Sequence, residues 1–313
     1  MNKKQAILFF LLVLTLNCSL FWYVHLDGKE AVKGVKIFEQ NESPVQGMTV
    51  VILDIGQGDA TFIEFADGTQ MLIDCGKDAS ILAALGRVMP FYDNTLDYLV
   101  PTHPDLDHYG GCMDVLKRFD VEHVVYTGYQ KDDGKNAYYQ AFMQAIKDEG
   151  AVYHHIKARE TWTIASTTVD FLYPDHDVSV DPTIPDGKPD PSNEESNNTS
   201  LVMKLSYGDS DLLLTGDIAF AVEEYLLNTY GSILDVELLK VGHHGSAGSS
   251  KQEFLDVVTP LHATISSGKG NSYGHPTPRT LKRLERVSST IWRTDELGDI
   301  TFHVRTSSIS HIP

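Results

Sequence analysis

Positively charged residues are scarce in this chain of 313 residues: 25 Lys and Arg face 43 Asp and Glu, which leaves a formal net charge of −18. This balance excludes a protein that coats nucleic acid through a broad basic surface, so any polyanion must be met locally. Cysteine is scarcer still. Cys18, Cys75 and Cys112 form an odd and sparse set, from which we expect no disulfide framework. The sequence also lacks a repeat period, which excludes a solenoid.

What remains is an ordinary globular mixture, with 42% hydrophobic and 22% charged residues. From Met48 onward, short β-rich runs alternate with amphipathic stretches. The predicted strands are 49–54, 61–65, 70–74, 98–101, 123–126, 168–173, 201–205, 211–215, 236–240, 263–266 and 300–304. The predicted helices are 79–88, 111–118, 137–149, 219–230, 252–258 and 278–286. This pattern predicts one α+β domain over residues 48–313, an αββα sandwich with two sheets face to face and helices outside.

The N-terminal segment has the pattern of a targeting sequence. Lys3 and Lys4 precede an uncharged, mostly apolar run over residues 6–24, and about 20 such residues span a bilayer as a helix. Because basic residues before such a run stay in the cytoplasm, we expect a single-pass protein of the cell membrane with an extracellular body. We assign 1–26 to this anchor or signal segment and 27–47 to a tether; cleavage and secretion are the alternative.

Four side chains that can bind metal fall within six residues, directly after an apolar run: His103, Asp105, Asp107 and His108. Imidazole and carboxylate are ligands of zinc, manganese and iron, and alternate positions on a turn can serve two neighbouring ions. Four groups cannot fill two coordination shells. Further ligands must therefore come from other parts of the chain.

Three other places offer such ligands. Asp217 follows one apolar run; the alternative to a metal ligand there is the N-cap of a helix. His243 and His244 follow another run and are flanked by glycines, and His275 lies in a Gly-rich loop before a basic helix. Ligand types at the ends of apolar strands are what a metal site at the rim of a sheet sandwich requires.

The motifs, in chain order, are LDIGQGDA at 53–60, IDCG at 73–76, HPDLDHYGG at 103–111, SNNTSL at 196–201, LTGD at 214–217 and HHGS at 243–246. Together they resemble the metallo-β-lactamase fold superfamily. Within it, they are most similar to the extracellular hydrolase domain of the competence protein ComEC and its stand-alone relatives. The motifs cover nearly all of the body from Met48 to Val304.

The resemblance implies two divalent ions, zinc or manganese. His103 would bind the first ion, Asp107 and His108 the second, and Asp217 would bridge them. His244 is our choice for the final ligand, although His243 and His275 compete for that role. Asp107 would also orient the attacking water, and His275 or His243 would protonate the departing oxygen.

This chain departs from the superfamily pattern at two places. Asp105 stands where the signature has a second histidine, and as a harder ligand it favours manganese or a looser zinc at the first site. Residues 196–201 offer Asn197 and Asn198 where the superfamily supplies a further histidine. Asp59 and Asp74 are expected to orient ligands, with ordinary turn carboxylates as the alternative.

The ComEC resemblance implies a phosphodiesterase or nuclease that acts on extracellular DNA. Cations around the His275 loop are suited to holding phosphates, unless they form only the exposed face of an amphipathic helix. These cations are Lys269, Arg279, Lys282, Arg283, Arg286 and Arg293. Tyr109, Tyr207 and Tyr273 could stack on bases, with packing in the core or rim as the alternative.

Three other functions stay open at this point. One is an envelope phosphoesterase of the teichoic-acid phosphorylcholine esterase type, which would use the same metals. Another is a lactone or amide hydrolase, and the last is a non-catalytic metal-binding relative in which Asp105 marks a decayed site. The sequence does not predict the oligomeric state.

Overall fold

The structure, a computed structural model, describes residues 47–131, 136–185 and 195–313. The predicted membrane segment and all but the last residue of the predicted tether lie outside these ranges. Within them, no helix is both long and apolar enough to cross a bilayer.

Two mixed sheets form the body. The first has eight strands in the order β15-β14-β1-β2-β3-β4-β5-β6, and the second has seven in the order β13-β12-β11-β10-β9-β8-β7. The first sheet comprises β1 Met48–Ile52, β2 Thr61–Glu64, β3 Gln70–Ile73, β4 Thr95–Val100, β5 Asp120–Tyr126, β6 Val152–His155, β14 Ile300–Arg305 and β15 Ser308–Ile312. The second comprises β7 Glu160–Ile164, β8 Thr167–Tyr173, β9 Val202–Tyr207, β10 Ser210–Leu214, β11 Leu238–Lys240, β12 His262–Ile265 and β13 Thr290–Arg293.

Helices cover the outer faces of both sheets. They are α1 Ser80–Val88, α2 Leu106–Tyr109, α3 Cys112–Arg118, α4 Asn136–Glu149, α5 Phe220–Tyr230, α6 Gln252–Val258, α7 Pro278–Arg286 and α8 Thr294–Leu297. Buried side chains of α1, α3 and α4 share one apolar cluster with the first sheet, and those of α5, α6 and α7 share another with the second sheet.

The central apolar layer lies between the two sheets. Ile52 and Phe302 of the first sheet belong to the same buried cluster as Leu205 and Leu212 of the second. Because each sheet is covered on both faces, its central strands are apolar almost throughout. The predicted αββα sandwich is therefore confirmed.

The strand ends that carry the predicted ligands lie at one edge of each sheet. β3 pairs in parallel with β4, and β10 pairs in parallel with β11. Parallel strands place their carboxyl ends side by side, which is where open α/β sheets form ligand sites. Asp74, His103, Asp217 and His244 all follow these ends within a few residues.

A disulfide that we did not expect joins Cys75 to Cys112, with a Cα–Cα distance of 5.2 Å. It links the turn after β3 to the first residue of α3. Gly111 N–H also donates to the Gly76 carbonyl at 3.0 Å across the same junction. The expectation drawn from the cysteine count was wrong here, because the pairing depends on the fold rather than on the number of cysteines.

Candidate metal centre

Four buried side chains from four separate segments of the chain meet between the strand ends. Asp59, His108, Asp217 and His244 each offer one ligand atom, and these atoms lie within 4.8 Å of one another. Among the residues that the structure describes, this is the one group of three or more such side chains that could hold a metal ion. The fold therefore brings distant motifs to a single point.

The three buried histidines are oriented in the same way. Each ring's Nδ1 contacts a fixed neighbour: Thr102 Oγ1 at 3.1 Å for His103, Asp74 Oδ2 at 2.8 Å for His108 and the Ser266 carbonyl oxygen at 3.1 Å for His244. Each ring's Nε2 is buried and has no hydrogen-bond partner among the described residues. A metal-binding histidine is held in this manner, with one nitrogen fixed by a neighbour and the other presented to the ion.

Carboxylates converge on the same Nε2 atoms. Asp217 Oδ2 lies 3.2 Å from His108 Nε2 and 3.3 Å from His244 Nε2, and Asp107 Oδ2 lies 3.3 Å from His244 Nε2. Asp217 Oδ1 is buried without a hydrogen-bond partner in the described chain. The imidazoles of His108 and His244 and the carboxylates of Asp107 and Asp217 thus face one space, and the ring of His103 lies beside that of His108. This donor set fits zinc or manganese.

Asp59 lies behind the histidines, on the side of their Nδ1 atoms. Its Oδ1 is 3.3 Å from His244 Nδ1, and its Oδ2 is 3.8 Å from His108 Nδ1. The ammonium of Lys240 forms an ion pair with Asp59 Oδ2, donates to the Gly216 carbonyl at 3.1 Å and lies 3.7 Å from Asp217 Oδ1. Lys240 is almost fully buried, and it carries a fixed positive charge in contact with the carboxylates.

The charges in this space shift the pKa of most of its members. Burial alone would raise the pKa of Asp59, but Lys240 and His244 lower it to about 2. Burial alone would lower the pKa of His244, but Asp217 and Asp59 raise it to about 10. The pKa of His108 also lies well above its usual value, because Asp217 and Asp74 outweigh burial. Without a bound cation these two rings hold protons, which a metal ion would displace on binding.

His103 differs from the other two rings. Burial, and then the nearby His108, lowers its pKa to about 4. The ring centroids of these two histidines are 4.1 Å apart. His103 therefore stays neutral at physiological pH, which is the form that binds a metal ion.

The adjacent residues His243 and His244 lie in a strained turn. Both adopt left-handed backbone, with φ of 48° and 52°, a conformation that costs about 1–3 kcal/mol for each non-glycine residue and that often occurs at functional sites. His243 N–H donates to the Gly216 carbonyl at 3.3 Å, which holds the turn against the loop of Asp217. His244 consequently lies in the buried group and His243 lies at the rim.

The rim also contains His275. Its ring centroid is 5.5 Å from that of His243 and 5.9 Å from that of Tyr273. Asn197 Nδ2 lies 3.4 Å from the ring nitrogens of His243. The two rim histidines and an exposed tyrosine thus form the outer wall beside the buried group.

Asp105, like His103 and Asp107, is not one of the four convergent side chains. Its Oδ1 accepts from Lys131 Nζ at 2.8 Å and from Ser196 Oγ at 2.6 Å. Asp217 is not a helix cap, because α5 begins after Ala219. Ser200 Oγ accepts from the backbone N–H of Asp217 at 3.1 Å. The segment around Asn197–Thr199 therefore frames the site by hydrogen bonds with both sides.

The remaining predicted residues are spread over core and surface. Tyr109 and Tyr207 are buried in the apolar core, whereas Tyr273 is exposed. Arg293 is paired with Asp295 and Glu296, each at 2.6 Å. Packing was therefore the right alternative for two of the three tyrosines, and Arg293 is neutralised.

Sequence reasoning did not identify Lys240 as part of this site. Its signal was present, since a lysine directly follows the buried pair Leu238 and Leu239 at the end of a predicted strand, and lysine is almost never fully buried unless it is paired. Ser200 and Ser266 had no such signal, because their contacts with Asp217 and His244 depend on the fold.

Comparison with known proteins agrees with this geometry. Residues 53–269 match the family described as "Metallo-beta-lactamase superfamily". The chain is 32% identical to ComE operon protein 3 of Bacillus subtilis (strain 168) over 273 residues, which is 82% of this chain and 33% of that protein. It is 30% identical to Competence protein ComA of Neisseria gonorrhoeae over 263 residues, or 83% of this chain and 33% of that one. The resemblance to ComEC-like competence proteins is therefore confirmed, and the chain spans about a third of the length of these relatives.

Among solved structures, a similar one is CmlA, a diiron beta-hydroxylase from Streptomyces venezuelae. It has a TM-score of 0.48 and 12% sequence identity, and the match covers 82% of this chain and 54% of that one.

Proposed function

The chain belongs to the metallo-β-lactamase superfamily, and we propose that it is a divalent-metal-dependent phosphodiesterase that hydrolyses DNA outside the cytoplasm. The observation that carries the proposal is the shared orientation of His103, His108 and His244, whose Nδ1 atoms contact fixed neighbours and whose buried Nε2 atoms make no hydrogen bond within the described chain. A decayed site would have no reason to keep three rings fixed in this way. The names of the competence relatives favour DNA as the substrate class.

The chain's own residues have separate tasks in this proposal. His103, His108 and His244, with Asp107 and Asp217, would hold two divalent ions, zinc or manganese. When bound, such ions supply positive charge that polarises a phosphodiester and acidifies a water molecule. Asp74 and Asp59 hold the imidazole rings from behind and so fix which nitrogen faces the ions.

The rim histidines are assigned to protonating the leaving group. His243 and His275 lie beside the centre and are only partly buried, so either imidazole can donate a proton to the oxygen that leaves. Asp107, which is more exposed than Asp217, is the carboxylate suited to orienting the attacking water. Asp105 serves to join Lys131 and Ser196 across the site rather than to bind an ion.

The location outside the cytoplasm is part of the same proposal. The Cys75–Cys112 disulfide favours an oxidising compartment, because such bonds are rare in cytosolic proteins. The competence relatives favour the cell envelope, and the apolar run of 6–24 would supply a membrane anchor.

The test measures bound metal and hydrolysis in the purified full chain. Single-stranded DNA, double-stranded DNA and a bis-aryl phosphodiester are assayed with manganese or zinc. Asp107→Asn and Asp217→Asn should lose about a thousandfold or more in rate, because several kcal/mol of metal-dependent stabilisation disappear and each 1.4 kcal/mol is about tenfold.

The matched control is Asp209→Asn, at an exposed turn between β9 and β10, which should keep the wild-type rate. Asp105→Asn should lose much less than Asp217→Asn. Absence of hydrolysis of every substrate, or equal rates in wild type and Asp217→Asn, would overturn the proposal.

A further inference from the structure

Four of the nine residues of α7 carry a positive charge, on a protein whose formal net charge is −18. Arg279, Lys282, Arg283 and Arg286 follow the spacing i, i+3, i+4, i+7, so they share one helical face. With Pro278 they line a groove of about 500 Å³, which we call the basic groove. No acidic side chain of the described chain lines it. Glu285 lies about a third of a turn away around the helix.

The four cations of the basic groove do not have the same role. Arg283 Nη1 donates to the carbonyls of Ala247 and Ser249, at 3.3 and 3.0 Å, and its guanidinium lies 5.1 Å from the ring centroid of Phe220. Arg283 therefore fixes α7 to the loop beneath it. Arg279, Lys282 and Arg286 are exposed, so their charges are available to a ligand.

The positive charge of the groove is not fully relieved by neighbouring acids. Burial lowers the pKa of Arg283, the Glu223 carboxyl opposes this shift, and the guanidinium groups of Arg279 and Arg286 lower the pKa further. Arg286 has a neutral partner, since its Nη1 lies 3.4 Å from Gln252 Oε1. A polyanion that entered the groove would meet cations without displacing strong ion pairs.

The basic groove begins beside the metal centre. Thr277 caps α7 and its N–H donates to the Gly245 carbonyl at 2.9 Å, one residue after His244. Packing here is close, since a Cβ on Gly245 would come within 2.7 Å of the side chain of Pro276. The first turn of α7 thus lies directly against the turn that carries His243 and His244.

From this arrangement we infer that the basic groove binds the phosphate backbone of a nucleic-acid strand that continues from the metal centre. The inference rests on the proposed function and adds how a polymeric substrate would be held beside the metal centre. The eight residues from Arg279 to Arg286 are separated by seven steps, which span about 10 Å along the helix. Phosphates of one duplex strand recur about every 3.4 Å along the axis, so the groove matches about three of them.

An anionic membrane surface is the less suitable partner for this helix. A helix that lies on a bilayer presents exposed apolar side chains beside its basic face. On α7, Leu284 is fully buried against the second sheet. The helix is therefore fixed in the fold, and apart from Pro278 its exposed residues are charged.

The test measures binding separately from cleavage. A fluorescent phosphorothioate oligonucleotide, which resists hydrolysis, is titrated with the metal-loaded full chain across a range of salt concentrations, and anisotropy is recorded. The triple variant Arg279→Gln/Lys282→Gln/Arg286→Gln should bind about 10- to 100-fold more weakly, with a salt dependence reduced by about two to three counterions. Circular dichroism and thermal unfolding check that the variant is folded.

The matched control removes three exposed cations from the helices on the other side of the sandwich. Lys117→Gln/Arg118→Gln/Lys147→Gln changes the net charge by the same amount and should keep the wild-type affinity. Equal weakening in both triple variants, or less than a twofold change in the α7 variant, would overturn the inference. A larger loss of binding to anionic phospholipid vesicles than to the oligonucleotide in the α7 variant would overturn it as well.

The two proposals can fail independently. If the wild-type chain cleaves DNA but the α7 variant binds the oligonucleotide as tightly as wild type, the groove inference fails and the proposed function stands. If the oligonucleotide binds through α7 but no substrate is cleaved, the proposed function fails and the groove remains a nucleic-acid site.

Discussion

The metal centre and the basic groove adjoin at one turn, yet they are built in opposite ways. The centre takes its side chains from four separate segments at the ends of two sheets, buries them and fixes its histidines by hydrogen bonds. The groove takes its cations from one helix and leaves three of them in solvent. A centre of the first kind depends on the whole fold, whereas a groove of the second kind depends only on a docked helix and its charge. Substitutions at the metal centre should therefore destabilise the protein. Substitutions of the exposed cations in the groove should change only ligand affinity.

The largest expected contrast is between two lysines. In Lys240→Met the carboxylate of Asp59 stays buried without its ion pair, which typically destabilises a protein by about 3–5 kcal/mol. In Lys282→Met an exposed charge of the basic groove is lost, and the free energy of unfolding should change by about 0.5 kcal/mol or less. Urea unfolding of both variants beside wild type measures the difference.

Equal stability of the two lysine variants would show that the Asp59–Lys240 pair does not hold the centre together. A large loss of unfolding free energy in Lys282→Met alone would contradict the expected difference, because Lys282 would then stabilise the fold.

The disulfide gives the second contrast. The Cys75–Cys112 bond closes a separation of 37 residues, and its removal in Cys75→Ala/Cys112→Ala should destabilise the protein by about 2–4 kcal/mol. Asp74, which holds His108, directly precedes Cys75. Metal affinity should therefore fall as well, while oligonucleotide binding by the basic groove stays at the wild-type level.

Calorimetric metal titration and thermal unfolding, with and without reductant, test this second contrast. Reductant should convert wild type to the behaviour of the double variant and leave the double variant unchanged. Stability of the wild type that does not respond to complete reduction would contradict the assignment of a stabilising role to the bond.

The same division explains how much could be read from the sequence. The central strands and the motifs at their ends were predicted, because apolar runs followed by ligand types are local signals. The edge strands β6, β7, β13 and β15 were not predicted. Their residues are largely exposed or half-buried, so their sequences lack the apolar run that marks a covered strand.

Contacts between distant residues were the other part that the sequence did not reveal. Asp105 was predicted as a ligand from its position in a motif, and its contacts with Lys131 and Ser196, 26 and 91 residues away, were not predicted. Cys75 and Cys112 likewise meet only because α3 begins beside the turn after β3. Spacing within a motif gives the type of side chain at each position, whereas the direction of that side chain depends on the packing around it.

The smallest expected contrast concerns the loop of residues 246–251, which links the centre to the groove. Glu223 of α5 is buried beneath this loop and accepts from the N–H groups of Ser250 and Lys251, the latter at 2.8 Å. Burial raises the pKa of Glu223 to about 7, against an ordinary value of 4.5. Between these pH values the folded protein keeps a proton that the unfolded chain releases. The contribution of Glu223 to stability is therefore full below pH 4.5 and is lost as pH rises toward 7.

Glu223→Gln should remove this dependence. The free energy of unfolding of wild type, relative to the variant, should fall by up to about 3 kcal/mol as pH rises across this interval. Glu253→Gln, at an exposed position in the first turn of α6, should keep the wild-type slope. Urea unfolding at several pH values measures all three proteins. A Glu223→Gln variant with the full wild-type slope would place the titrating group elsewhere. The expected result would show that buried Glu223 holds the loop of residues 246–251. Buried carboxylates would then fix both the metal centre and the loop on which α7 packs, although most cations of the basic groove are exposed.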